Sequence, residues 1–534
     1  MKKIHILSAA MLLSMLSVSG CGTREEGEQE DTTKAQLSVI TFDGGVGDQW
    51  LKNAARLFEE KNKDRTDFQD GRTGVQIHIA MDRSVGGDTI KMSDLNKDIY
   101  FTENVDYYFL TNQDKFADIT DILTTPNSED GGKKIIDKID GNLSSFLNRD
   151  GKYYAIPFYD CFYGLIYDKD LFKDKGFYMK DDGLFTSNES EFGKGPNGVA
   201  GDWDDGLPAT YAQFDSMIDL MVAKKVIPFT YSSAYYGYTY RALSSFWADD
   251  EGYDDANLNY TFNGTAHNIV DSITDGVATT KSVEITKENG YLLRSQAGLY
   301  NALSFARNIL CDTSSNYQSY STNYDVQTAF INNKWIGGST KPIAMMFEGT
   351  WWENEAADAF DLARSSYAAE SFNYGFMPIP KSSESKIGDA TLLNQNNSFG
   401  FIASNSQNMK LAKEFMSFLH TDEQLRAFTV ETNMTRGLSY SLTAADREKI
   451  STYAKNLIDI KESEHTKILY PYCGLDFVIN NGSTFSNEYW IWNTAKYTNS
   501  PITKFIDDKT LSAKDFFEDH ASLIKSSEWA RLIK

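Results

Sequence analysis

The chain has 534 residues, a formal net charge of −23 at pH 7 and a pI near 4.7. It is long enough for more than one folding unit, and its acidity argues against a nucleic-acid partner, because binding to phosphates needs a basic surface. The six histidines and four cysteines lack HExxH or CxxC spacing, so we expect no metal, no cofactor and no disulfide scaffold.

The chain begins with the pattern of a secretory signal, which we predict for residues 1–20. Two lysines are followed by an apolar run from Ile6 to Val18, which serines interrupt and which ends in small residues. Such a run is too short and too polar for a membrane span, and no later segment is apolar enough to cross a membrane. The sequence therefore predicts export of the mature protein.

The end of this run resembles the bacterial lipobox, in which the cysteine after the cleavage site receives a diacylglyceryl group. Cys21 follows Val18, Ser19 and Gly20, which resemble the residues that precede the cysteine in a lipobox. It would become a lipid-anchored N-terminus on the extracellular face of the cytoplasmic membrane. The alternative is an ordinary cleavage site with an incidental cysteine. Residues 21–36 are polar and acidic, and they cannot bury enough apolar surface to fold. We therefore expect a flexible tether there.

The segments that follow have the order of strand and helix that is typical of a parallel sheet. The β-branched and aromatic stretch 37–42 predicts a strand, and apolar residues at helical spacing between Trp50 and Phe58 predict a helix. Two further strands are predicted at 75–80 and 99–101. This alternation favours an α/β fold.

Two acidic residues follow these strands. Asp43 begins the segment DGGVG after the first strand, and Glu103 follows the third. Glycines between a strand and a helix can bind phosphate, but the GxGxxG and GxxxxGK[ST] spacings are both absent. Because open α/β sheets bind ligands beyond the carboxyl ends of their strands, we expect both acids to face a cleft. Either could cap a helix instead.

The segment from Asp150 to Phe172, DGKYYAIPFYDCFYGLIYDKDLF, carries the most specific motif. It resembles the first passage between lobes in the extracellular solute-binding proteins of ABC importers, the family that includes maltose-binding protein. In that family a Gly-Lys pair, an aromatic residue and Ile/Val-Pro precede an apolar strand that ends in Tyr-Asn/Asp-Lys. The matching residues of this chain are Gly151, Lys152, Tyr154, Ile156, Pro157, Tyr167, Asp168 and Lys169.

Four further segments resemble the same family, in the family's order along the chain. Residues 209–221 are similar to its Thr-Trp-acid-Glu helix, although Tyr211 and Gln213 replace the usual tryptophan and acid. Because all of these segments occur in the family's order, together they indicate the family more specifically than any one of them alone. The other three are a strand with a Gly-x-Trp turn at 341–356, a strand entering the second passage at 372–381, and a strand with its following helix at 398–424.

The resemblance implies an α/β, periplasmic-binding-protein-like type II fold, with two discontinuous lobes and a hinge. Lobe 1 would comprise 37–159 and 382–423, and lobe 2 would comprise 160–381 and 424–534. The Asp-, Gly-, Asn- and Ser-rich stretch 180–206 is predicted to form a long excursion. Further helices are predicted at 211–225, 300–310 and 409–419.

The resemblance also indicates where a sugar would bind. A sugar presents an apolar C–H face and a rim of hydroxyl groups, so its receptor needs flat aromatic rings together with carboxylates or amides. In the segment EGTWW, family position makes Trp351 the stacking residue and Trp352 a core residue. Glu348 ends the preceding strand as a candidate contact, and Gly349 is expected to let the backbone approach the ligand.

Other candidate contacts lie at the first passage and in the run FTYSSAYYGYTYRALSSFW. Asp160 and Tyr163 are expected to face the cleft, with packing in the hinge as the alternative. The run contains more phenols and fewer aliphatic residues than a plain core, so one or two of its residues should reach the ligand. The candidates there are Tyr235, Tyr236 and Arg241.

Two features of the C-terminal region yield structural expectations. Trp490 and Trp492 alternate in the segment NEYWIWN, which predicts two core residues on one face of a strand. Arg436 follows a turn and is expected to pair with one of the many surface acids, with a carboxylate ligand as the alternative.

The family resemblance implies a receptor and not an enzyme. It would bind an extracellular carbohydrate, an oligosaccharide by expectation, and deliver it as a lipid-anchored monomer to the transmembrane subunits of an ABC permease. One alternative is a receptor for a peptide or polyamine, which a densely acidic cleft would favour. The other is a surface glycoside hydrolase, which needs two carboxyl groups. The candidates for those are Glu103, Glu348 and Asp160.

Overall fold

The computed structural model describes residues 29–86, 95–104, 106–395, 398–471, 475–485, 487–494, 496 and 500–534. The predicted signal peptide and Cys21 lie outside these ranges, as does Cys473. Within them, no helix is long and apolar enough to cross a membrane. Cys161 and Cys311 are buried free thiols.

Strands and helices alternate along much of the chain, as predicted. The strand expected at 37–42 is Ala35–Thr41 and includes the last residues assigned to the tether. The strands expected at 75–80 and 99–101 are each one residue longer. The strands are β1 Ala35–Thr41, β2 Val75–Met81, β3 Ile99–Thr102, β4 Ile156–Pro157, β5 Tyr163–Asp168, β6 Tyr178–Met179, β7 Phe185–Thr186, β8 Ile227–Ser232, β9 Gly264–Thr274, β10 Val277–Ile285, β11 Tyr317–Tyr320, β12 Ile343–Gly349, β13 Tyr374–Met377, β14 Ala390–Leu393, β15 Phe399–Ile402 and β16 Thr466–Leu469.

Two five-stranded sheets organise the described part of the chain. Sheet 1 has the order β2-β1-β3-β15-β4, in which β1, β2 and β3 are parallel and β15 is antiparallel to both of its neighbours. Sheet 2 has the order β11-β8-β12-β5-β13, in which β11, β8 and β12 are parallel and β5 is antiparallel to both of its neighbours. Each sheet combines strands that are distant in sequence, so the chain passes between the sheets more than once.

Helices flank the sheets. The helix predicted at 409–419 has those bounds, and the one predicted at 211–225 is Tyr211–Ala223. The one predicted at 300–310 begins earlier and ends in a π-helix. The α-helices are Gln49–Lys61, Tyr107–Asn112, Thr120–Thr124, Gly141–Leu147, Lys169–Lys175, Tyr211–Ala223, Gly237–Glu251, Tyr253–Thr261, Ala297–Phe305, Asn323–Ile336, Trp352–Glu355, Ala357–Tyr367, Met409–Leu419, Asp422–Thr432, Ala444–Arg447, Thr452–Glu462, Asp476–Asn480, Gly482–Phe485, Asn487–Trp492, Pro501–Asp507, Ala513–Ser522 and Ser526–Leu532.

A long antiparallel hairpin, β9–β10, extends from the second half of the chain. Its turn contains Asp275 and Gly276, whose φ angles are 50° and 79°. Two positive φ angles in a row match a type I′ turn, and Asp-Gly is a favoured pair for it. The Asp-Gly dipeptide between two Thr- and Val-containing stretches was therefore a sequence signal for this hairpin, which our sequence analysis missed.

The helix Asp422–Thr432 corrects the predicted division into lobes. Leu425 and Phe428 of this helix are buried in the core of sheet 1, whereas we assigned 424–534 to lobe 2. The family resemblance ended near this point, and the apolar face of the helix continues that of the helix before it. The chain returns to sheet 2 later, since Tyr453 is buried in a core that includes β5 and β12 residues.

Arg436 is buried and does not pair with a surface acid as we expected. Its guanidinium carbon lies 5.1 Å from the ring centroid of Phe428 and 5.6 Å from that of Trp50. It donates hydrogen bonds to the carbonyl oxygen of Phe158 and to Nε2 of His420. Burial and the nearby guanidinium hold the pKa of His420 well below its usual range, so the neutral imidazole can accept this bond.

Trp490 and Trp492 belong to the helix Asn487–Trp492, so the predicted strand is wrong. Both are buried in the core, as expected. The indole of Trp490 donates to Asn259 at 2.9 Å, and that of Trp492 donates to Ser244 at 2.8 Å. Residues two apart on a helix project in different directions, so each indole has its own partner. Alternation over so few residues does not distinguish a strand from a helix.

Asp160 joins the segments that connect the two sheets. It lies between β4 and β5 and is only 2% exposed. Its carboxylate accepts hydrogen bonds from Asn394 at 3.2 Å and Thr435 at 3.1 Å, and it forms an ion pair with Lys461. Asn394 lies on the return passage to sheet 1 and Thr435 on the last passage to sheet 2, whereas Lys461 belongs to the helix Thr452–Glu462 that follows this passage. One buried carboxylate thus contacts all three passages.

We expect the Asp160→Asn substitution to lower the free energy of unfolding by about 3 kcal/mol, because it leaves a largely buried ammonium without a counter-ion. Lys461→Met should have a comparable effect. Urea denaturation followed by circular dichroism would measure both, together with the double variant. The double variant should cost less than the sum of the two single losses. Fully additive losses would contradict a direct ion pair.

Candidate functional site

The carboxyl ends of the parallel strands in both sheets meet at one cleft of about 750 Å³. From sheet 1, Asp43 follows β1, Arg83 follows β2 and Glu103 follows β3. Tyr163 begins β5, and because β5 is antiparallel to β12, its start lies at the same edge as the end of β12. Other lining residues, from the segments after β8, β11 and β12, are Tyr235, Tyr236, Tyr238, Arg241, Asn323, Tyr324, Trp351 and Glu355.

Three aromatic rings form the wall of the cleft on the side of sheet 2. The ring centroids of Trp351 and Tyr163 are 5.0 Å apart and nearly perpendicular, and Tyr238 lies 6.2 Å from Trp351. Such edge-to-face contacts favour one orientation of each ring. A Cβ atom at Gly349 would lie only 2.1 Å from the indole, so glycine allows the indole to rest against the end of β12.

A chain of hydrogen bonds runs from the cleft into the core of lobe 2. The Glu355 carboxylate accepts hydrogen bonds from Asn323 and Gln327, both at 2.9 Å. The same amide nitrogen of Gln327 also donates to Glu348, at 3.2 Å. Burial raises the pKa of Glu348 well above its usual range, and the charge of Glu355 adds to the effect. We therefore assign the proton of this pair to Glu348.

Glu103 and Arg241 line the cleft from opposite lobes. Arg241 donates a hydrogen bond to the hydroxyl of Tyr163, and its guanidinium carbon lies 4.9 Å from the centroid of that ring. Glu103 is 8% exposed, and burial raises the pKa of its carboxyl group to about 8. The positive charge of Arg241 opposes this rise, whereas the negative charge of Glu355 reinforces it. The protonation of Glu103 thus depends on groups of both lobes.

The sequence itself assigns the family. Residues 44–425 match the sequence profile of the family described as "Bacterial extracellular solute-binding protein". The chain belongs to this family. The family resemblance that the motifs at 150–172 and 341–356 indicated is confirmed. A comparison with curated protein sequences found no match.

Solved structures confirm the two-lobed type II fold of this solute-binding protein. The apo form of RafE from Streptococcus pneumoniae is similar with a TM-score of 0.54 at 11% identity, over 95% of this chain and 100% of that one. The cyclic alpha-maltosyl-1,6-maltose binding protein from Arthrobacter globiformis has a TM-score of 0.52 at 14% identity, over 94% and 99%. A chitin oligosaccharide binding protein has 0.52 at 15%, over 91% and 100%.

Most of the residues that we predicted as ligand contacts lie together in the cleft of this solute-binding protein. Asp43 and Glu103, which follow strands of sheet 1, line the cleft. Tyr163 of the first passage and Trp351 of the Gly-x-Trp turn line it as well. Their contact with a ligand stays a prediction. The seven residues are Asp43, Glu103, Tyr163, Tyr235, Tyr236, Arg241 and Trp351.

Three predicted contacts do not line the cleft. Glu348 is fully buried beneath it, bonded to Gln327 and to its neighbouring amide. Gly349 lies behind the Trp351 indole, which separates it from the open space. Asp160 is turned toward the passages between the lobes, because its carboxylate is held by the polar groups there.

Several cleft residues were missed in the sequence. Arg83 follows the second strand, just as Asp43 and Glu103 follow the first and third strands. Its place in the cleft could therefore have been predicted for the same reason. Glu355 lies four residues after Trp351, which is the spacing of one helical turn. Asn323 and Tyr324 follow β11, a strand that the sequence analysis did not predict. Their position in the cleft follows from the pairing of β11 with β8, which the sequence alone does not indicate.

We expect Glu348→Gln to stabilise the protein increasingly as the pH rises. The folded state raises the pKa of Glu348 above its ordinary value of 4.5. The stability associated with the protonated carboxyl is complete below that value and is lost at higher pH, whereas glutamine has no proton to lose. Urea unfolding at about pH 5 and about pH 8 measures the difference from wild type. Exposed Glu370 provides the control variant Glu370→Gln. A pH-independent difference for Glu348→Gln would contradict its protonated state.

Proposed function

We propose that this solute-binding protein binds an extracellular oligosaccharide in the cleft and delivers it to the permease of an ABC importer. The observation that carries the proposal is the combination of an aromatic wall with hydrogen-bonding groups. Trp351 and Tyr238 can stack on the C–H face of a sugar, while Arg241 and Glu355 can bond its hydroxyl groups. The volume of about 750 Å³ is in the range of small-molecule sites, about 300 to 1,000 Å³.

The ligands named for structural relatives support a carbohydrate. RafE is described in complex with raffinose, and the other two relatives are described as binding a cyclic maltosyl-maltose and chitin oligosaccharides. Those ligands belong to those proteins. What they share is the class of ligand, which agrees with the aromatic and polar lining of the present cleft.

Transport would depend on both lobes and on the N-terminus. A ligand that contacts both lobes stabilises a closed form through contacts that the open form lacks. A lipid on Cys21 would keep a monomeric receptor close to its permease, and the tether would allow the two to meet. The lipid anchor, the extracellular position at the cytoplasmic membrane and the monomeric state stay predictions from the sequence.

The other candidate functions have less support. Of the three carboxyl groups that we considered for a glycoside hydrolase, only that of Glu103 lines the cleft, since Glu348 and Asp160 are buried elsewhere. A peptide or polyamine would suit the acidic groups of the cleft, and its ammonium groups could lie over the aromatic rings, but a polyamine has neither a sugar's flat C–H face nor its rim of hydroxyl groups. We therefore assign no catalytic residues.

A thermal-shift screen of the mature protein against neutral and charged oligosaccharides tests the proposed function. A ligand that binds only the folded form raises the melting temperature in proportion to ln(1 + [L]/Kd). We expect a concentration-dependent rise with at least one oligosaccharide and no release of reducing sugar on incubation. A rise with peptides or polyamines alone would refute the proposal, and turnover that Glu103→Gln abolishes would replace the receptor with a hydrolase.

Trp351→Ala should weaken the binding of that oligosaccharide by about 1 to 3 kcal/mol, because the sugar loses its apolar contact with the indole. Calorimetry measures the change. Trp335→Ala is the matched control, since Trp335 is 39% exposed at the end of the helix Asn323–Ile336 and does not line the cleft. Unchanged affinity in Trp351→Ala would remove this residue from the binding site.

A further inference from the structure

The charged groups of the cleft are not evenly paired. Arg83 is engaged with Asp43, whose carboxylate lies 3.4 Å from its guanidinium. Arg241 is engaged with the hydroxyl and the ring of Tyr163. Two carboxyl groups remain, those of Glu103 and Glu355. Among the described residues no side-chain nitrogen of a lysine or arginine lies within 4.0 Å of the oxygens of either, although the charge of Arg241 acts on Glu103 and that of Arg83 acts on Glu355.

These two carboxyl groups come from opposite lobes and face the same space. Glu103 is more than nine-tenths buried, and the negative charge of Glu355 acts on it directly. Burial raises the pKa of Glu355, whereas the N–H donors of Asn323 and Gln327 and the charge of Arg83 oppose this rise. Because Glu103 is poorly solvated, a second carboxylate near it is unfavourable unless one of the two is protonated or a cation lies between them.

The wall beside the carboxyl groups has complementary chemistry. The rings of Tyr163, Tyr238 and Trp351 surround the same space, and the face of an aromatic ring attracts a cation as well as a C–H surface. A polyamine has the charge but no ring face to stack, whereas a neutral sugar has the ring face but no charge. The cleft contains carboxyl groups that can bind a positive charge and aromatic rings that can stack on the face of a sugar.

We propose that the ligand is a sugar bearing a protonated amino group, and that Glu103 and Glu355 bind this ammonium from opposite lobes. The inference rests on the proposed function, since it names the class of sugar for the same cleft. The ammonium would neutralise the repulsion between the two lobes at this point. It would thereby favour closure specifically when an amino sugar is present.

Binding should also release a proton. Burial raises the pKa of Glu103 to about 8, so at about pH 5.5, where the amino group of the free sugar is already protonated, the carboxyl group is protonated without ligand. An ammonium beside it stabilises the carboxylate, and the proton passes from the carboxyl oxygen to the buffer. We expect about one proton released per bound ligand at that pH. The charged or titratable groups that act on Glu103 are Arg241, Glu355, Tyr163 and Cys161.

The test compares glucosamine oligomers with N-acetylglucosamine oligomers of the same length, which differ by the acetyl group that removes the charge of the nitrogen. We expect the amino form to bind at least about tenfold more tightly. Calorimetry in two buffers of different ionisation enthalpy should show proton release with the amino form alone. Spermidine, which has charge without a sugar ring, is the third probe.

Glu103→Gln should abolish the proton release and reduce the preference for the amino form, whereas Glu370→Gln on the surface should change neither. Melting curves without ligand report whether each variant is folded, and the comparison of the two sugars in wild type does not depend on any variant. Equal or tighter binding of the acetylated form would overturn the inference and leave the proposed function intact. Binding of neither sugar would overturn the inference alone, whereas binding of spermidine together with no oligosaccharide of the thermal-shift screen would overturn both.

Discussion

The buried carboxylate of Asp160 is the constraint on which the relation between the lobes depends. It accepts hydrogen bonds from Asn394 and Thr435 and is paired with Lys461, and these residues belong to different segments of chain. A charge in such a place is tolerated only with partners. The cluster therefore holds the three passages together at the point where the chain runs between the lobes. The cleft opens between the strand ends on either side of it.

The cleft itself is organised by connected polar groups. Gln327 bonds the carboxyl groups of Glu348 and Glu355 with one amide nitrogen, and Asn323 also donates to Glu355. A network whose members are satisfied is stiff. Glu355, which lines the cleft, is thus connected through Gln327 to the buried carboxyl group of Glu348. At the rim Tyr235 is 56% exposed, so this ring has no such support.

The fold could be predicted from the sequence wherever a local pattern and a family motif agreed. Strands β1, β2 and β3 followed from their β-branched residues, and the order of these strands was enough to predict that Asp43 and Glu103 lie at the cleft. Trp490 was assigned correctly to the core but to the wrong element, since tertiary contacts decide the form of so short a segment. Patterns of periodicity report which residues are buried more reliably than which element they occupy.

The site was harder to predict, for two physical reasons. Glu355 reaches the cleft through a helical turn, and Asn323 reaches it through the pairing of β11 with β8, so both depend on contacts distant in sequence. Asp160 and Glu348 are next to cleft residues in sequence, but their carboxyl groups have stronger partners on the other side. Adjacency to a motif identifies the segment that reaches a site. It does not identify the direction of each side chain.

Gly349 has a consequence for how such a cleft can diversify. The indole of Trp351 occupies the space where a side chain at 349 would begin, with 2.1 Å between the indole and a Cβ atom there. Even alanine would push the indole outward into the cleft and make it shallower. The depth available to a ligand is therefore set by a residue that the ligand does not touch, and a single methyl group there would select for shorter ligands while leaving every polar contact group in place.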